Sequence, residues 1–338
     1  MSEGVDIGFV EECESWKLES RLFPSKIGGK PAWLELEHLP SLQDLQCGMC
    51  NQQMIFLCQV YAPYEDDENN FHRTLFIFIC RNSICSQRNT SSNLKVFRSC
   101  LPRRNKFYSN EPPLEQPDLN FSLSKWVKLC NLCGCIAEKH CGKCKAGYCC
   151  REHQVTDWKE THKEICGANE KFQKQSKILF KEYELIIDEE LLENTEVDES
   201  KALQEYEKLE HEGKVGTLCD ASETDLEAHA FVDQDATFSK FRKRISENSE
   251  QVLRYKRGGT PLWIAENPKP LNVPCCEYCK GPRQFEFQVM PQMLSVLCEN
   301  ELDWGILVVY SCKNSCTDYK GYKLEFIFRQ DVSDIKLS

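Results

Sequence analysis

Gly28-Gly29-Lys30-Pro31-Ala32-Trp33 recurs 230 residues later as Gly258-Gly259-Thr260-Pro261-Leu262-Trp263. A second match follows each copy at a shift of 229, where Cys47-x-x-Cys50, Phe56 and Gln59-Val60 return as Cys276-x-x-Cys279, Phe285 and Gln288-Val289. Each copy then runs through an apolar segment, 75–79 or 305–310, into a second cysteine pair. A repeat of this kind indicates that one structural unit occurs twice. The sequence therefore predicts one body built from both ends of the chain, with the middle inserted.

The two copies have the composition of a β-rich fold. Short apolar, aromatic-rich segments separated by turn residues predict strands at 54–61, 75–79, 285–290, 305–310 and 323–329. Phe238, Phe241 and Ile245 fall at helical spacing and predict one helix packed on the C-terminal copy. The predicted class is α+β and β-rich, with two pseudo-symmetric zinc-knuckle β lobes formed by the N- and C-terminal parts.

Composition divides the chain into five parts. The predicted boundaries are an N-terminal β lobe at 1–108, a proline-rich linker at 109–129, a zinc finger at 130–166, an acidic segment at 167–235 and a C-terminal β lobe at 236–338. Within the acidic segment, 169–187 and 199–212 have the pattern of amphipathic helices. High charge and few aromatic residues predict disorder over much of 188–235.

Cysteine is the anomaly of the composition, with 22 in 338 residues. Such a content indicates either a disulfide framework in a secreted protein or thiolate metal sites in an intracellular one. The segment Met1–Asp6 has neither the basic nor the apolar region of a signal peptide, and no stretch of 18 apolar residues occurs. We therefore expect a reducing compartment, no membrane association and metal sites.

The net charge of -11 is unevenly distributed. Residues 182–235 hold 19 Asp and Glu against three Lys, which leaves about +5 for the remainder of the chain. The acidic balance argues against general nucleic-acid binding, which usually requires a concentrated basic face, and we expect no direct sequence-specific nucleic-acid partner. Two interpretations of the tract stay open: a solvated spacer, or a shield for a basic protein partner.

The central segment contains eight zinc-ligand residues in four closely spaced pairs. Interleaved pairing predicts two closed tetrahedral sites. The first ion is assigned to Cys130, Cys133, Cys149 and His153, and the second to Cys141, Cys144, His162 and Cys166. Cys135 and Cys150 are left over. Metal binding would supply the folding free energy of such a small module, on the order of 10 kcal/mol or more per ion.

This segment resembles a MYND zinc finger, down to Tyr148 before Cys149 and to Gln154 and Trp158 after His153. That family often has Cys where this chain has His153, which is also an accepted zinc ligand. The resemblance implies binding of a proline-rich or co-repressor peptide. Trp158 is either a core residue or a peptide contact. Because both sites are filled by protein ligands, no position is left for an activated water.

Each repeat copy offers four further cysteines with knuckle-like spacing. They are Cys47, Cys50, Cys80 and Cys85 in the first copy, and Cys276, Cys279, Cys312 and Cys316 in the second. We predict one zinc ion in each set, hence four per chain, two of them in the finger. The alternative is a set of buried free cysteines. Cys275 competes with Cys276 as a ligand, although the repeat register favours Cys276.

The whole chain resembles the programmed cell death 2 family, which also includes a yeast ribosome-assembly factor. The stretches that carry the resemblance are 23–34, Gln59–Pro63, Phe71–Arg73, Leu101–Tyr108, Gln251–Tyr255 and Phe285–Gln292, together with the finger. The resemblance implies a dedicated chaperone that captures a ribosomal protein of the small subunit, S-two in eukaryotic naming. It would deliver this client to pre-ribosomes, which implies both cytoplasmic and nuclear localisation, and we expect a monomer.

Catalysis is not expected. The chain has no Gly-x-x-x-x-Gly-Lys-Ser/Thr phosphate loop and no Gly-x-Ser-x-Gly nucleophile elbow. The alternative function is a transcriptional adaptor in cell proliferation or apoptosis, in which the MYND finger recruits a co-repressor. If two lobes hold a client between them, the strand with His72 and Arg73 and its counterpart around Trp304 are the places expected to contact it.

Overall fold

The structure is a computed structural model that describes residues 4–118, 120–167, 176–190, 236–299, 301–318 and 321–332. The described strands are β1 (Asp6–Glu11), β2 (Lys26–Ile27), β3 (Ile55–Tyr61), β4 (His72–Ile79), β5 (Leu94–Leu101), β6 (Lys139–His140), β7 (Gly147–Tyr148), β8 (Tyr183–Glu189), β9 (Leu253–Tyr255), β10 (Arg283–Val289), β11 (Ile306–Cys312) and β12 (Tyr322–Gln330). The helices are α1 (Arg151–Asp157), α2 (Lys163–Ile165), α3 (Ala236–Ser246) and α4 (Gln292–Leu297). A π-helical turn, Trp158–His162, joins α1 to α2.

Ten strands form one closed antiparallel barrel in the order β1-β8-β2-β3-β4-β5-β12-β11-β10-β9, with β9 returning to β1. The fold is therefore β-rich, as predicted, but the two ends of the chain do not stand apart as two lobes. An open four-stranded sheet leaves unpaired amide and carbonyl groups along both edges. Pairing of β5 with β12 removes one edge from each copy, and β1 and β8 close the gap between β2 and β9.

The two repeat copies supply strands in the same order, β2-β3-β4-β5 and β9-β10-β11-β12. The register of β3 on β4 shifts between Phe56 and Cys58, and that of β10 on β11 shifts between Phe285 and Phe287, 229 residues later. The repeated glutamine has the same task in both copies. Gln59 exchanges hydrogen bonds with the backbone of Ala32, and Gln288 does so with Leu262. A buried amide thus ties each Gly-Gly loop to its strand.

Alternation along the strands separates the barrel interior from its outer faces. In β4, Leu75 and Ile77 belong to an interior cluster that also contains Val289 and Leu307 from the other end of the chain. Phe76 and Phe78 point the other way, into a second cluster that includes finger residues. Phe241 of α3 packs on a third cluster outside β10 and β11. Each copy depends on the other for its core.

The helical prediction for 169–187 is wrong where the structure describes that segment, because Tyr183–Glu189 is strand β8. It pairs with β1 over six residues and with Lys26 and Ile27 of β2. Leu185 enters the barrel core. Spacing alone does not separate a short helix from a strand here, and the two open edges of β1 and β2 decide the outcome. The other predicted helix, 199–212, lies outside the described residues.

The finger is docked on the barrel by the first Gly-Gly loop. Trp33 Nε1 donates a 2.7 Å hydrogen bond to the carbonyl of Gly134, and Lys30 Nζ donates to the carbonyl of Asn131. Trp33 is fully buried in the cluster shared with Tyr148 of the finger. Among the described helices, none has the length and apolar character needed to cross a bilayer.

Candidate metal centres

The first finger centre consists of the residues assigned to it, Cys130, Cys133, Cys149 and His153, whose ligand atoms all lie within 4.8 Å of one another. Cys133 Sγ is 3.6 Å from Cys149 Sγ, and His153 Nδ1 is 3.1 Å from Cys149 Sγ. Four ligands at ordinary zinc bond lengths are separated by about 3.5–3.8 Å in a tetrahedron. The cluster therefore fits one zinc ion, with His153 supplied by α1.

The second finger centre combines the remaining pairs, Cys141, Cys144, His162 and Cys166, again within 4.8 Å. Cys141 Sγ lies 3.8 Å from Cys166 Sγ, and Cys144 Sγ lies 3.3 Å from His162 Nε2. The structure brings the four pairs together in the interleaved arrangement. The π-helical turn carries His162, so helix geometry as well as loop geometry sets this centre.

The cysteines of the repeat copies also converge. The N-terminal centre contains Cys47, Cys50, Cys80 and Cys85, and the C-terminal centre contains Cys276, Cys279, Cys312 and Cys316, each set within 4.8 Å. Their Sγ–Sγ distances include 3.6 Å for Cys50–Cys80, 3.6 Å for Cys276–Cys316 and 3.5 Å for Cys279–Cys312. The donor set is four thiols, the chemistry of a structural zinc site.

All four centres begin with the same backbone turn. The first cysteine of each Cys-x-x-Cys donates its N–H to the carbonyl five residues later and accepts at its own carbonyl from the N–H four residues later. The first cysteines are Cys47, Cys130, Cys141 and Cys276. The fourth residue after each has a positive φ, namely Asn51 at 59°, Gly134 at 73°, Lys145 at 66° and Lys280 at 59°. This shared turn links the two repeat centres to the finger by geometry as well as by composition.

The turn also directs backbone amides at the thiols, which favours the thiolate that a metal requires. The amide of Gly281 lowers the pKa of the Cys279 thiol to about 7, with an N···Sγ distance of 3.4 Å. The amide of Cys144 lowers the pKa of Cys141 to about 6. Gly134 and Asn51 are residue types that adopt positive φ readily, so they indicate this turn in the sequence. Lys145 and Lys280 do not, because lysine has no such preference.

Asp157 supports the finger from behind the ligands and was missed by sequence reasoning. Its buried carboxylate accepts hydrogen bonds from Tyr148 (2.6 Å), Asn131 (2.9 Å) and Thr161 (2.8 Å). Each partner is the chain neighbour of a ligand: Cys149, Cys130 and His162 respectively. One carboxylate therefore orients parts of both finger centres. Its position in the sequence matches no ligand spacing.

The cysteines that spacing left over stay outside the four ligand sets. Cys135 is buried in the core beneath the finger. Cys150 is the N-cap of α1, where its sulfur accepts from the amide of His153. Cys275 is exposed, whereas Cys276 is buried within the C-terminal centre.

The client-contact surface suggested around His72, Arg73 and Trp304 is wrong. Arg73 is fully buried, with both Nη atoms bonded to the Glu286 carboxylate at 2.8 and 2.9 Å. His72 is stacked on Phe23, and Trp304 is buried in the barrel core. All three side chains are buried, so none offers a surface to a partner.

These features define a class: a MYND-finger protein in which the finger is docked on a closed ten-stranded barrel. Family models match in the same order, namely "Programmed cell death protein 2, N-terminal domain" over 4–115, "MYND finger" over 130–166 and "Programmed cell death protein 2, C-terminal putative domain" over 235–331. The chain belongs to the programmed cell death protein 2 family.

Similar proteins extend from mammals to yeast. Programmed cell death protein 2 of Bos taurus is 41% identical over 348 residues, covering 97% of each chain. Programmed cell death protein 2-like of Homo sapiens is 28% identical over 315 residues, covering 86% of this chain and 85% of that protein. "Probable 20S rRNA accumulation protein 4" of Schizosaccharomyces pombe is 36% identical over 110 residues, 28% of each chain. No solved structure matches.

Proposed function

We propose that this protein binds a basic ribosomal protein of the small subunit, S-two, and escorts it to pre-ribosomes. The mechanism is binding and release, with zinc as a structural metal in a body that carries out no chemistry. Membership of the family and the printed name of the fission yeast relative, which refers to 20S rRNA accumulation, support a place in ribosome biogenesis. Such work would require the protein in both cytoplasm and nucleus.

The observation that carries the proposal is where the negative charge lies. Strand β8 takes up Tyr183–Glu189, and the part of the acidic tract that follows it is residues 191–235. These residues contain 14 Asp and Glu against three Lys, a net -11 that equals the net charge of the whole chain. The formal charges of all the other residues, 1–190 and 236–338, therefore sum to zero. A basic client finds charge complementarity in this tract, and complementary charge accelerates association and restricts the choice of partner.

The residue that precedes the tract is held firmly on the barrel. Glu190, just before the tract, is buried and accepts hydrogen bonds from Arg254 at 2.7 and 2.8 Å. It also accepts from Arg244 in α3, the helix that begins directly after the tract. Glu190 therefore fixes the barrel end of the tract against Arg254 of β9 and against Arg244, which lies in the last turns of α3.

The test is binding of purified small-subunit ribosomal protein S-two to the full-length chain. Replacing the 14 acidic residues of 191–235 by Asn and Gln should weaken binding at least about ten-fold, equivalent to about 1.4 kcal/mol, and flatten its salt dependence. A control for acidic residues elsewhere neutralises three of them, Glu65, Asp66 and Glu68, in an exposed loop. Undiminished affinity in the tract variant would contradict the proposal, as would no binding by the native chain.

A second function, recruitment of a proline-rich or co-repressor peptide by the finger, is favoured by one observation. Val155 and Trp158 are 41% and 42% exposed on adjoining turns of the finger helix. Exposed aromatic and aliphatic side chains of this kind suit peptide contact. Affinity capture under ribonuclease separates the two functions: stoichiometric ribosomal protein supports the chaperone, and co-repressor subunits lost on Val155→Ser and Trp158→Ser support the adaptor.

A further inference from the structure

Arginines from each half of the chain reach the metal-binding loop of the other half. Arg98 in β5 extends to Cys316 of the C-terminal centre. Arg329 in β12 extends to Ser86, the neighbour of Cys85 in the N-terminal centre. The two arginines occupy equivalent places, because Arg98 pairs with Leu75 of β4 and Arg329 pairs with Leu307 of β11. Leu75 and Leu307 in turn face the repeat partners Val60 and Val289.

At the C-terminal centre the contact is buried and specific. Arg98 Nη2 donates to the carbonyl of Cys316 at 3.0 Å and lies 3.9 Å from its sulfur. Arg98 Nε bonds Glu325 at 2.7 Å. The other oxygen of Glu325 accepts from the amide of Cys312 at 3.1 Å. One ion pair thus touches two of the four ligand residues, and both of its side chains are at most 1% exposed.

A second arginine from the first half holds the same loop. Arg73 Nε donates to Ser315 Oγ at 3.1 Å, while its Nη atoms bond Glu286. Ser315 precedes the ligand Cys316, is buried and has a positive φ of 41°. The loop from Cys312 to Cys316 is therefore clamped at its backbone and at one side chain by residues more than 200 positions earlier.

The N-terminal centre shows the reciprocal arrangement. Arg329 Nη1 donates to Ser86 Oγ at 2.9 Å, and the Arg329 amide donates to Ser91 Oγ at 2.9 Å. Asp331, bonded to Arg329 Nε, donates its amide to Asn89 Oδ1 at 2.9 Å. The loop after Cys85 is held by the last strand of the barrel.

We propose that each repeat centre is held in place by an arginine from the other half of the chain, an arrangement called the cross-latch below. Arg98 is the positioning residue of the C-terminal centre, and Arg329 is the positioning residue of the N-terminal centre. A zinc ion with four thiolates carries a net charge of -2, which the Arg98 guanidinium partly neutralises at Cys316. Residues behind the ligands orient them, and their loss lowers metal affinity about 10- to 100-fold. Each centre would keep its metal only while the other half of the barrel is in place, whether or not the chain binds a ribosomal protein.

The test compares Arg98→Gln with Arg329→Gln in the zinc-loaded full-length chain. The readout is the rate at which each cysteine is alkylated by N-ethylmaleimide in the presence of a chelator, followed by peptide mass spectrometry. Arg98→Gln should accelerate alkylation of Cys276, Cys279, Cys312 and Cys316 on the order of ten-fold or more, and Arg329→Gln should do so for Cys47, Cys50, Cys80 and Cys85. The eight finger ligands serve as an internal control for folding.

Two smaller changes keep the test decisive if the arginine variants unfold. Ser315→Ala removes the acceptor of Arg73, and Ser86→Ala removes the acceptor of Arg329, without changing charge or core volume. Each should accelerate alkylation about three-fold or more at its own centre alone, the size expected for the loss of one hydrogen bond. The cross-latch is overturned if the folded arginine variants do not accelerate alkylation selectively at their own centres. If the arginine variants unfold, it is overturned by unchanged alkylation in both serine variants or by equal acceleration at both repeat centres.

Discussion

At the scale of single residues, the metal centres depend on groups that touch no metal. Asp157 joins Asn131, Tyr148 and Thr161 behind the finger ligands. Positive-φ residues four positions after the first cysteine shape all four turns. The ligand identities follow from spacing, since two thiols three residues apart chelate one ion. The residues that support the ligands cannot be identified from spacing, because hydrogen bonds between distant parts of the chain leave no local pattern.

Replacing Asp157 by Ala should loosen both finger centres. The change leaves the Tyr148 hydroxyl and the Asn131 amide without their buried acceptor, and ligand-supporting residues of this kind are worth about 10- to 100-fold in metal affinity. Chelator competition on the zinc-loaded chain, with alkylation of the finger cysteines as the readout, measures the effect. Asp118→Ala, at an exposed position, is the control and should leave the rates unchanged.

His72 should lower the free energy of unfolding in acid already at pH values above those at which carboxylates titrate. Burial, with a smaller effect of the nearby Arg103, lowers the pKa of His72 from 6.5 to about 4. Below pH 6.5 the unfolded chain therefore takes up a proton that the folded chain refuses until about pH 4, so the free energy of unfolding decreases over this interval. His72→Phe keeps a ring against Phe23 and should abolish that part of the decrease.

The measurement is urea unfolding from pH 7 to pH 4.5 for the native chain and for His72→Phe. Acid also protonates the metal thiolates, and that contribution is common to both chains. The pH dependence of the difference between them therefore isolates His72. A constant difference across the interval would contradict a neutral buried imidazole.

At the scale of strands and helices, the barrel is held together by ion pairs across its interior as well as by its edges. Arg73 of β4 meets Glu286 of β10, and Arg257 and Tyr255 bond the same carboxylate. Glu286 occupies the register shift of β10, the position of Leu57 in β3. The repeat thus predicts the strand but not the charge, because the second copy places a carboxylate where the first places leucine.

Glu286→Gln should destabilise the fold by about 3–5 kcal/mol, the usual cost of leaving a buried charge without its partner. Arg73 and Arg257 would retain their charges in a site from which water is excluded. Urea unfolding at pH 7 measures the loss, and Glu301→Gln, at an exposed position, is the control. A change below about 1 kcal/mol, the size of a surface ion pair, would argue against a buried charge network.

The same ion pair should survive mild acid. The Arg73 guanidinium, against the opposing effect of burial, lowers the pKa of Glu286 to about 2. Its contribution is complete above the unfolded value of 4.5 and is lost as the pH falls through about 2. The native chain and Glu286→Gln should therefore differ by the same free energy from pH 7 down to about pH 5.

At the scale of the whole molecule, the finger and the barrel are one assembly with four clusters of zinc-type ligands, three Cys and one His in each finger centre and four Cys in each repeat centre. The finger shares its core with the outer face of β4, and Trp33 ties it to the first repeat copy. Two repeat copies share one barrel interior. The finger and the barrel therefore pack as one unit in the described residues.

Metal content tests the four-cluster arrangement. We expect about four zinc ions per chain by elemental analysis, one for each tetrahedral donor set. Cys276→Ser should lower the content by one ion, whereas Cys275→Ser, one residue away, should leave it unchanged. A content of two ions in the native chain, retained in the Cys276→Ser variant, would mean that only the finger binds zinc.

The sequence by itself determined the repeat, the strands at 54–61, 75–79, 285–290, 305–310 and 323–329, the finger and the membership of all four cysteine clusters. These features depend on spacing within short segments, where periodicity and chelation act over a few residues. Only the tertiary structure decided that both copies close into one barrel, that Tyr183–Glu189 is a strand, that Arg73 is buried, and that Arg98 and Arg329 cross between halves. The physical reason is that unpaired strand edges and buried charges are satisfied by whichever group the closed fold brings near, however far away it lies along the chain.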